Sequence, residues 1–257
     1  MDRIREPLPT HVRDAPPLPD VYARTLDQGL AELGLSLDAT AREAIDGHAR
    51  LLLAWTTAIN LTAIRDPAGV ALGHVVDSLT ADAVVRERTI DRFVDLGSGG
   101  GYPGLPLAAA LSARRVLLLE PIAKKSRFLS VAIEATGLGS AVEAATVRAE
   151  ALAADERHRG RWPAVTARAV ASLPDLVELA FPLLARDGVL VAWKRGEIDE
   201  ELVAARRALT AMGGGDLEVR PVAVTGLGDH RLVVATASGR VPDQYPRDPA
   251  ARRRRPW

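Results

Sequence analysis

Residues 93–107 read FVDLGSGGGYPGLPL and contain the sequence pattern that decides the fold. An apolar run with one acid, 93–96, precedes five glycines within eight residues, and Pro103 and Pro106 then open a run of leucine and alanine. Buried parallel strands are nearly continuously apolar, glycine permits positive φ and a close ligand, and proline suits the first helical turn. The stretch therefore predicts a strand, a glycine turn and a helix. The helix N-terminus would offer free N–H groups to a ligand at the end of the strand.

Asp95 narrows the choice of ligand. The spacing Gly99-x-Gly101-x-x-Gly104 fits the dinucleotide fingerprint, but glycines so close together satisfy many patterns. Asp95 stands two residues before Gly97, and we expect it to carry negative charge into the mouth of the site. Such a charge suits a cationic ligand and opposes a pyrophosphate. The pattern D-x-G-x-G after a strand resembles the first motif of class I methyltransferases, which bind S-adenosylmethionine, a sulfonium cation.

The composition of the 257 residues is ordinary for a soluble globular protein, with 47% hydrophobic and 26% charged residues. The chain has no cysteine, which excludes disulfides and cysteine-ligated metals, and its five histidines show no ligand spacing. No apolar run reaches the roughly 18 residues of a membrane span. The N-terminus lacks the apolar core of a signal peptide. We therefore expect a cytoplasmic protein without a membrane partner. We also expect a monomer.

The charges are unevenly distributed although the formal net charge is zero. Arginine outnumbers lysine by thirty to three, and four arginines stand together at 252–255. A basic tail of this kind can contact phosphates, although genome composition would also explain much of the arginine excess. Residues 1–19 hold five prolines, and we predict a disordered arm there. The remaining divisions are a helical segment at 20–88, a cofactor-binding domain at 89–239 and the basic tail at 240–257.

Apolar spacing predicts helices in 20–88 and a regular alternation of strands and helices after residue 89. Five strand–helix units are followed by two strands, 217–224 and 231–237, with no helix between them. The pattern predicts an α/β fold with a doubly wound, mostly parallel, seven-stranded sheet. The sheet would have an antiparallel C-terminal edge and an N-terminal helical extension.

Polar residues end the predicted strands where a ligand would lie. Glu120 ends the second strand, 19 residues after Gly101, the place of an acid that accepts hydrogen bonds from ribose hydroxyls. After the third strand, Ala149 N–H and the Glu150 carboxylate suit an adenine edge. Arg168 ends the fourth strand and suits a cofactor carboxylate or a substrate phosphate. Each of these residues also has a purely structural interpretation. Glu120 would be a solvated acid at a strand end, Glu150 an ordinary acid at a helix start, and Arg168 an arginine paired with a nearby carboxylate.

Two further groups of residues are candidates for the substrate side. Polar side chains of the helical segment would cover the cleft, or would be satisfied by backbone groups: Asn60, His74, Asp77 and Ser78. Basic residues of the helix after the second strand would contact phosphates together with the arginine tail: Lys124, Lys125 and Arg127.

Taken together, these stretches resemble one family, the RsmG/GidB bacterial small-subunit rRNA guanine-N7 methyltransferases. The matching stretches are Trp55, NLTAIRDP (60–67), HVVDSL (74–79), DLGSGGGYPGLPLA (95–108), LLLEPIAKKSRFL (117–129), RAEAL (148–152), ARAVASL (167–173) and YPRDP (245–249). The resemblance implies a class I Rossmann-like fold, S-adenosylmethionine as cofactor and 16S rRNA or the small ribosomal subunit as partner. It places cofactor contacts at Gly97, Tyr102, Ala149, Glu150 and Arg168, to which the motif itself adds Asp95, Gly99 and Glu120.

The target atom is consistent with this resemblance. Guanine N7 has a free lone pair and no proton, so methylation needs alignment in a dry pocket rather than a general base. Amino-group methylases usually carry an Asn/Asp-Pro-Pro-aromatic run after the fourth strand, where this chain has Arg-Ala-Val-Ala at 168–171. We expect methylation of a 16S rRNA guanine at N7, with Arg168 as the candidate catalytic residue. Another methyltransferase with the same cofactor, or an NAD-binding redox protein using the glycine fingerprint, are the alternatives.

Overall fold

Seven strands form the centre of the computed structural model, which describes residues 7–257. They are β1 (Arg92–Leu96), β2 (Arg115–Leu119), β3 (Val142–Ala145), β4 (Trp162–Arg168), β5 (Leu184–Arg195), β6 (Gly215–Pro221) and β7 (His230–Ala237). Their order across the sheet is β3-β2-β1-β4-β5-β7-β6. The first five strands pair in parallel, and β7 runs antiparallel to both β5 and β6. The predicted fold class is confirmed, including the antiparallel C-terminal edge.

Helices cover both faces of this sheet. Before it come α1 (Asp20–Leu33), α2 (Ala39–Thr56), α3 (Pro67–Val70), α4 (Asp77–Leu79) and α5 (Asp82–Glu87), and a π-helical segment (Ala71–Val76) joins α3 to α4. Within the sheet region lie α6 (Gly104–Ala110), α7 (Ala123–Ala135), α8 (Ala149–Ala154), α9 (Leu173–Ala180) and α10 (Asp199–Ala211), and α11 (Pro249–Arg254) follows it. One core lies between the sheet and α1, α2, α6 and α7, and a second lies on the opposite face under α8, α9 and α10.

Local signals in the sequence explain how the N-terminal helices begin, end and pack. Asp38 caps α2, because its Oδ1 accepts a hydrogen bond from the Ala41 amide at 2.8 Å. Gly34 ends α1 in the left-handed conformation with φ of 65°. A Cβ at Gly29 of α1 would lie 2.4 Å from Val76 Cγ2. The glycine therefore lets α1 pack closely against the π-helical segment, which carries candidate site residues.

The prediction of a disordered arm is wrong for residues 7–19; residues 1–6 lie outside the described part of the chain. Ala15 is buried, and the Trp55 indole donates to the Pro9 carbonyl at 2.8 Å. Arg50 donates to the carbonyls of Ala15 and Pro16. Proline content predicted disorder, but a segment with only a short 3-10 helix, Val12–Asp14, can still satisfy its carbonyls with side chains of a neighbouring helix.

The basic tail also departs from its prediction, because residues 240–257 fold back onto the domain. Asp248 caps α11 by accepting hydrogen bonds from two backbone amides. Arg247 pairs with the buried Glu178, and Arg252 pairs with Glu150. The segment is thus held by ion pairs with α9 and α8, the helices on the second face of the sheet, and only part of its arginines remains exposed.

The helical stretch Pro67–Glu87 is long and apolar enough to span a membrane by length and composition. No apolar run of this length was predicted from the sequence. However, 61% of its most apolar window is buried inside the protein. Contact with the core of this chain accounts for its apolar character.

Candidate functional site

A cavity of about 200 Å³ opens at the carboxyl ends of β1 and β4. It is lined by the glycine turn after β1, by the end of β4, and by residues of the helical segment and α7: Leu52, Leu61, Thr62, His74, Gly97, Ser98, Gly99, Gly100, Tyr102, Lys125, Arg168 and Ala169. Ligands of open α/β sheets bind at this end, where neighbouring crossovers leave to opposite faces. The strand order has this switch between β1 and β4.

The glycine turn has the backbone conformation that its sequence requires. Gly97 and Gly99 have φ of 64° and 54°, values that side-chain-bearing residues rarely adopt. A Cβ at Gly97 would meet Val170 Cγ2 at 2.8 Å, whereas a Cβ at Gly99 would meet no atom nearer than 3.7 Å. The space beside Gly99 is therefore free of described protein atoms, as a turn that receives a ligand requires.

Gly101 and Gly104 face the protein interior instead. A Cβ at Gly101 would lie 2.8 Å from His48 Nε2, and one at Gly104 would lie 2.3 Å from Leu118 Cδ2. These two glycines are required for packing against α2 and β2. In the dinucleotide fingerprint the third glycine serves helix–strand packing, as Gly104 does here, but the second glycine lets the backbone approach the pyrophosphate. That second glycine is Gly101, which faces His48 and does not line the cavity, and this weakens the NAD-binding alternative.

Asp95 does not face the mouth of the site, so this part of the prediction is wrong. Its side chain is entirely buried beneath the glycine turn, and Oδ1 accepts a hydrogen bond from Thr166 Oγ1 at 2.7 Å. Burial raises the pKa of this carboxyl to about 6. Asp95 connects β1 to β4 beneath the turn. It can therefore affect ligand binding only indirectly, by stabilising the glycine turn.

Glu120 holds the outer side of the same turn. Its Oε2 accepts a hydrogen bond from the Gly99 amide at 3.0 Å, and its Oε1 accepts one from the Ile122 amide at 2.8 Å. The side chain is buried. Each carboxylate oxygen has a further lone pair that can accept a hydrogen bond. The contact between Glu120 and ribose hydroxyls therefore stays a prediction.

Arg168 lines the cavity and is held by three groups of the helical segment. Nη1 donates to the Gly73 carbonyl at 2.9 Å and to Asp77 Oδ2 at 2.8 Å. Nη2 lies 2.9 Å from His74 Nδ1. Arginine has five N–H donors, and these bonds use three, so two have no partner among residues 7–257. The arginine therefore combines a buried ion pair with donors that remain available to a ligand.

Asp77 does not line the cavity; it fixes the arginine from behind. Its Oδ1 accepts a hydrogen bond from His230 Nδ1 at 2.8 Å, while Oδ2 binds Arg168. Its side chain is only 4% exposed. Ser78 is likewise buried and donates to the His74 carbonyl. Both residues shape the site, and neither has a polar atom directed into the cavity.

His74 is neutral in this arrangement. Burial and the nearby Arg168 guanidinium lower its pKa to about 3. Since Nδ1 accepts from Arg168, Nε2 carries the proton and donates to Thr62 Oγ1 at 2.6 Å. Both ring nitrogens are engaged, so His74 orients its neighbours and has no free lone pair with which to take a proton.

Tyr102 is enclosed between two histidine rings. The ring centroids of His48 and His74 lie 4.4 and 4.7 Å from that of Tyr102, in stacked geometry. His48 is buried and donates from Nε2 to the Gly100 carbonyl at 2.7 Å. Because both faces of the tyrosine ring are covered, it cannot stack on a ligand. The cofactor contact implied by the resemblance would have to come through its backbone.

The remaining predicted residues lie at different distances from the cavity. Lys125 lines it, whereas Lys124 and Arg127 are exposed on the same helix, α7. Asn60 is exposed just after α2 and is not a lining residue. Ala149 and Glu150 begin α8 and lie outside the cavity lining, and Glu150 accepts a hydrogen bond from Arg252.

Several residues of the site were not identified from the sequence. Thr62 and Gly73 lie within or beside stretches that carry the family resemblance, and that proximity was a usable signal. His48 lies in the middle of α2 and His230 at the start of β7. Nothing local in the sequence distinguishes these two histidines from other helix or strand residues.

Comparisons with known proteins identify relatives of this chain. A model of the family described as "rRNA small subunit methyltransferase G" (GidB) matches residues 41–227. The protein named ribosomal RNA small subunit methyltransferase G of Roseiflexus sp. (strain RS-1) is 38% identical over 223 residues, which cover 87% of this chain and 94% of the relative. The protein of the same name from Stenotrophomonas maltophilia (strain K279a) is 41% identical over 221 residues, covering 86% and 97%.

Solved structures support the fold independently. The O-methyltransferase from Bacillus cereus, determined in complex with SAH, aligns with a TM-score of 0.57 at 16% identity. The alignment covers 82% of this chain and 96% of that one. At this identity the likeness concerns the fold alone. The family match over most of the chain is the stronger finding: the chain belongs to the rRNA small subunit methyltransferase G (GidB) family.

Proposed function

We propose that the protein is an S-adenosylmethionine-dependent methyltransferase that methylates N7 of a guanine in 16S rRNA of the small ribosomal subunit. Relatives at 38% and 41% identity are named as ribosomal RNA small subunit methyltransferases. The cavity lies at the sheet position where class I methyltransferases receive their ligands. Support for the target atom comes from the chemistry of the cavity lining.

The residues around the glycine turn fit the cofactor. The open space beside Gly99 admits a ligand against the backbone. Glu120 directly follows β2, and Glu150 lies in the first turn of α8, which follows the neighbouring strand β3. We infer that these two acids bind ribose and adenine, and that the remaining Arg168 donors bind the cofactor's carboxylate. When bound, S-adenosylmethionine supplies an electrophilic methyl group. The protein's own task is to hold both reactants in line and to exclude water.

The observation that carries the proposal is the absence of a free base among the described lining residues. The titratable residues of the lining are His74, Tyr102, Lys125 and Arg168. Both nitrogens of His74 are engaged, and burial raises the pKa of Tyr102. A hydroxyl target would need a group that takes its proton. Guanine N7 has no proton to lose, so this lining suits it.

The RNA must present the guanine outside a continuous helix, since base edges in an RNA duplex are poorly accessible. Lys125 at the cavity and the exposed Lys124 and Arg127 form a basic side on α7. Arg253, Arg254 and Arg255 are exposed on the C-terminal segment. Such side chains bind phosphates without reading sequence. They position the RNA while the cavity selects the base.

Methyl transfer by the purified protein tests the proposal. The protein is incubated with S-adenosylmethionine labelled in the methyl group, with either naked 16S rRNA or small subunits as acceptor. The label is expected in RNA as N7-methylguanine, detected by strand cleavage at the modified base. A protein that binds the cofactor and labels neither acceptor, or that labels another atom, would overturn it.

A pair of glycine variants links that activity to the assigned site. Gly99→Val forces a β-branched residue into positive φ and fills the open space beside the turn. We expect it to abolish cofactor binding in calorimetry while the chain stays folded. Gly139→Val is the matched control, because its Cβ would make only an ordinary contact of 3.9 Å with Ile133. Affinity of Gly99→Val equal to that of Gly139→Val would remove the turn from the site.

A further inference from the structure

The C-terminal segment, residues 242–257, is anchored to α9 through a buried acid. Glu178 is fully buried, and both of its oxygens accept hydrogen bonds from Arg247, with the shortest at 2.6 Å. The Arg247 amide and the Trp257 indole donate to the same carboxylate at 2.7 and 2.8 Å. A buried charge with this many donors is held in one geometry. The segment is therefore part of the folded domain.

Aromatic packing covers this anchor. The Arg247 guanidinium lies 4.5 Å from the centre of the Trp257 ring. The rings of Tyr245 and Trp257 lie 6.0 Å apart, and both residues pack against the second core. These contacts shield the ion pair from water, which strengthens it.

Arg252 links the Arg247–Glu178 pair to α8 through hydrogen bonds. Its Nη1 donates to the Arg247 carbonyl at 2.8 Å, and its Nη2 donates to Glu150 Oε1 at 2.5 Å. The side chains of Arg252 and Glu150 are 12% and 21% exposed. Polar contacts thus run from Glu178 through Arg247 and Arg252 to Glu150. Residues far from the glycine turn in sequence determine where the Glu150 carboxylate lies.

Glu150 stands close to the carboxyl end of the sheet. β3, which precedes α8, pairs with β2, and the Glu120 amide donates to the Ala145 carbonyl at 3.1 Å. α8 begins four residues later, at Ala149. Arg252 occupies Oε1 of Glu150, and no described side chain donates to Oε2. That oxygen is available to the amino group of an adenine.

We propose that Arg252 is a positioning residue for cofactor binding, which acts by holding Glu150 toward the adenine. The proposal rests on the proposed function, because it needs an adenosine-containing ligand in the cleft. Without Arg252 the carboxylate is free to rotate, and binding must then restrict it. The C-terminal segment acts as a brace for one side of the cofactor cleft.

Calorimetric titration with S-adenosylhomocysteine tests the proposal. Arg252→Ala is expected to weaken binding about fivefold to tenfold, which is about 1–1.4 kcal/mol. Arg207→Ala, which removes an exposed arginine of α10, is the matched control and should stay within twofold of the wild type. Arg252→Lys keeps a charge that can pair with Glu150, and we expect it to recover part of the affinity.

A double-mutant cycle distinguishes positioning from general destabilisation. In a Glu150→Gln background, the further change Arg252→Ala should alter affinity less than twofold. A fivefold loss that persists in that background would mean that Arg252 acts elsewhere, and would overturn the proposal. So would wild-type affinity of Arg252→Ala. If Arg252→Ala fails to fold, Arg252→Lys with and without Glu150→Gln gives the same comparison.

The wild type separates this inference from the proposed function. If the wild-type protein does not bind S-adenosylhomocysteine, the proposed function itself fails. If the wild type binds and Arg252→Ala binds equally well, only the role of Arg252 fails.

Discussion

Two buried arginine–carboxylate pairs in this chain have similar geometry and different consequences. Arg168 bonds Asp77 at 2.8 Å beside the cleft, and Arg247 bonds Glu178 at 2.6 Å on the opposite face of the sheet. Arg247 directs Nε and Nη2 to the carboxylate and Nη1 to the Arg255 carbonyl, under the ring of Trp257. Each arginine leaves two of its five N–H donors without a partner among residues 7–257, but of the two it is Arg168 that lines the cavity beside the glycine turn.

The difference shows what identifies a functional arginine. Ion pairing alone does not, because both arginines are paired. What distinguishes Arg168 is that its partners fix it at the cavity, where its remaining donors can reach a ligand. The two alternatives for Arg168, a structural ion pair or a ligand contact, are therefore compatible. Substitutions at the two pairs should separate stability from binding.

The largest expected effect is on stability, at the pair remote from the cleft. Glu178→Ala leaves Arg247 without its carboxylate and Trp257 without its acceptor. We expect the free energy of unfolding to fall by about 3–5 kcal/mol, the usual cost of breaking a buried pair. Urea unfolding measures it, with Glu197→Ala at an exposed position as control. A midpoint shared by the two variants would mean that the C-terminal segment contributes little to the fold.

Arg168→Ala should act on function more than on stability. A hydrogen bond to a charged group is worth about 1.5–3 kcal/mol, so we expect a tenfold to hundredfold loss in cofactor affinity or methyl transfer. A raised dissociation constant would mean that Arg168 holds the cofactor. Normal cofactor binding with lost transfer would mean that it holds the target nucleotide. An enzyme normal in both respects would make Arg168 as purely structural as Arg247.

The histidine partner of Arg168 predicts a pH dependence of stability. His74 has a pKa of about 3 in the folded protein, whereas an unfolded histidine titrates near 6.5. Between these values the unfolded chain binds the extra proton, so stability falls as the pH drops through that window. In His74→Gln the slope near pH 5 should be shallower by up to about 1.4 kcal/mol per pH unit. Unfolding series at several pH values measure it, and an unchanged slope would contradict the neutral assignment.

The smallest effect concerns the basic side of α7. Lys125 lines the cavity and Lys124 is exposed beside it. If both contact phosphates, the double change to alanine should weaken RNA binding and lower the slope of log affinity against log salt by up to about 1–2. Equal slopes for variant and wild type in filter-binding titrations would mean that this side is merely solvated.

The fold was predictable because its signals are local and repeated. A glycine turn follows an apolar strand, and strands and helices then alternate along the chain. Each strand–helix unit therefore carries its own local signal for a parallel sheet. The direction of the last two strands also followed, since no helix separates them. Arg168 and Glu120 could be identified as candidates because strand ends meet at one edge of the sheet.

The features of the site that the sequence did not predict depend on contacts between residues far apart in the chain. His230 reaches Asp77 across 153 residues, and Arg252 reaches Glu150 across 102. Nothing near His230 or Arg252 indicates these partners. Asp95 was wrongly expected to face the ligand, because its position in the motif does not reveal which face of β1 it occupies. The proline-rich arm was misjudged since composition does not show that its carbonyls meet donors on α2.

Mapping of N7-methylguanine in 16S rRNA from cells with and without the gene tests the central claim most directly. The rRNA is cleaved at N7-methylated guanines, and the sites are compared between the two strains. We predict one guanine of 16S rRNA that is methylated in the parent and unmodified without the gene, with methylation restored by the wild-type gene and reduced with Arg168→Ala. Identical patterns of N7-methylguanine in the two strains would contradict the account.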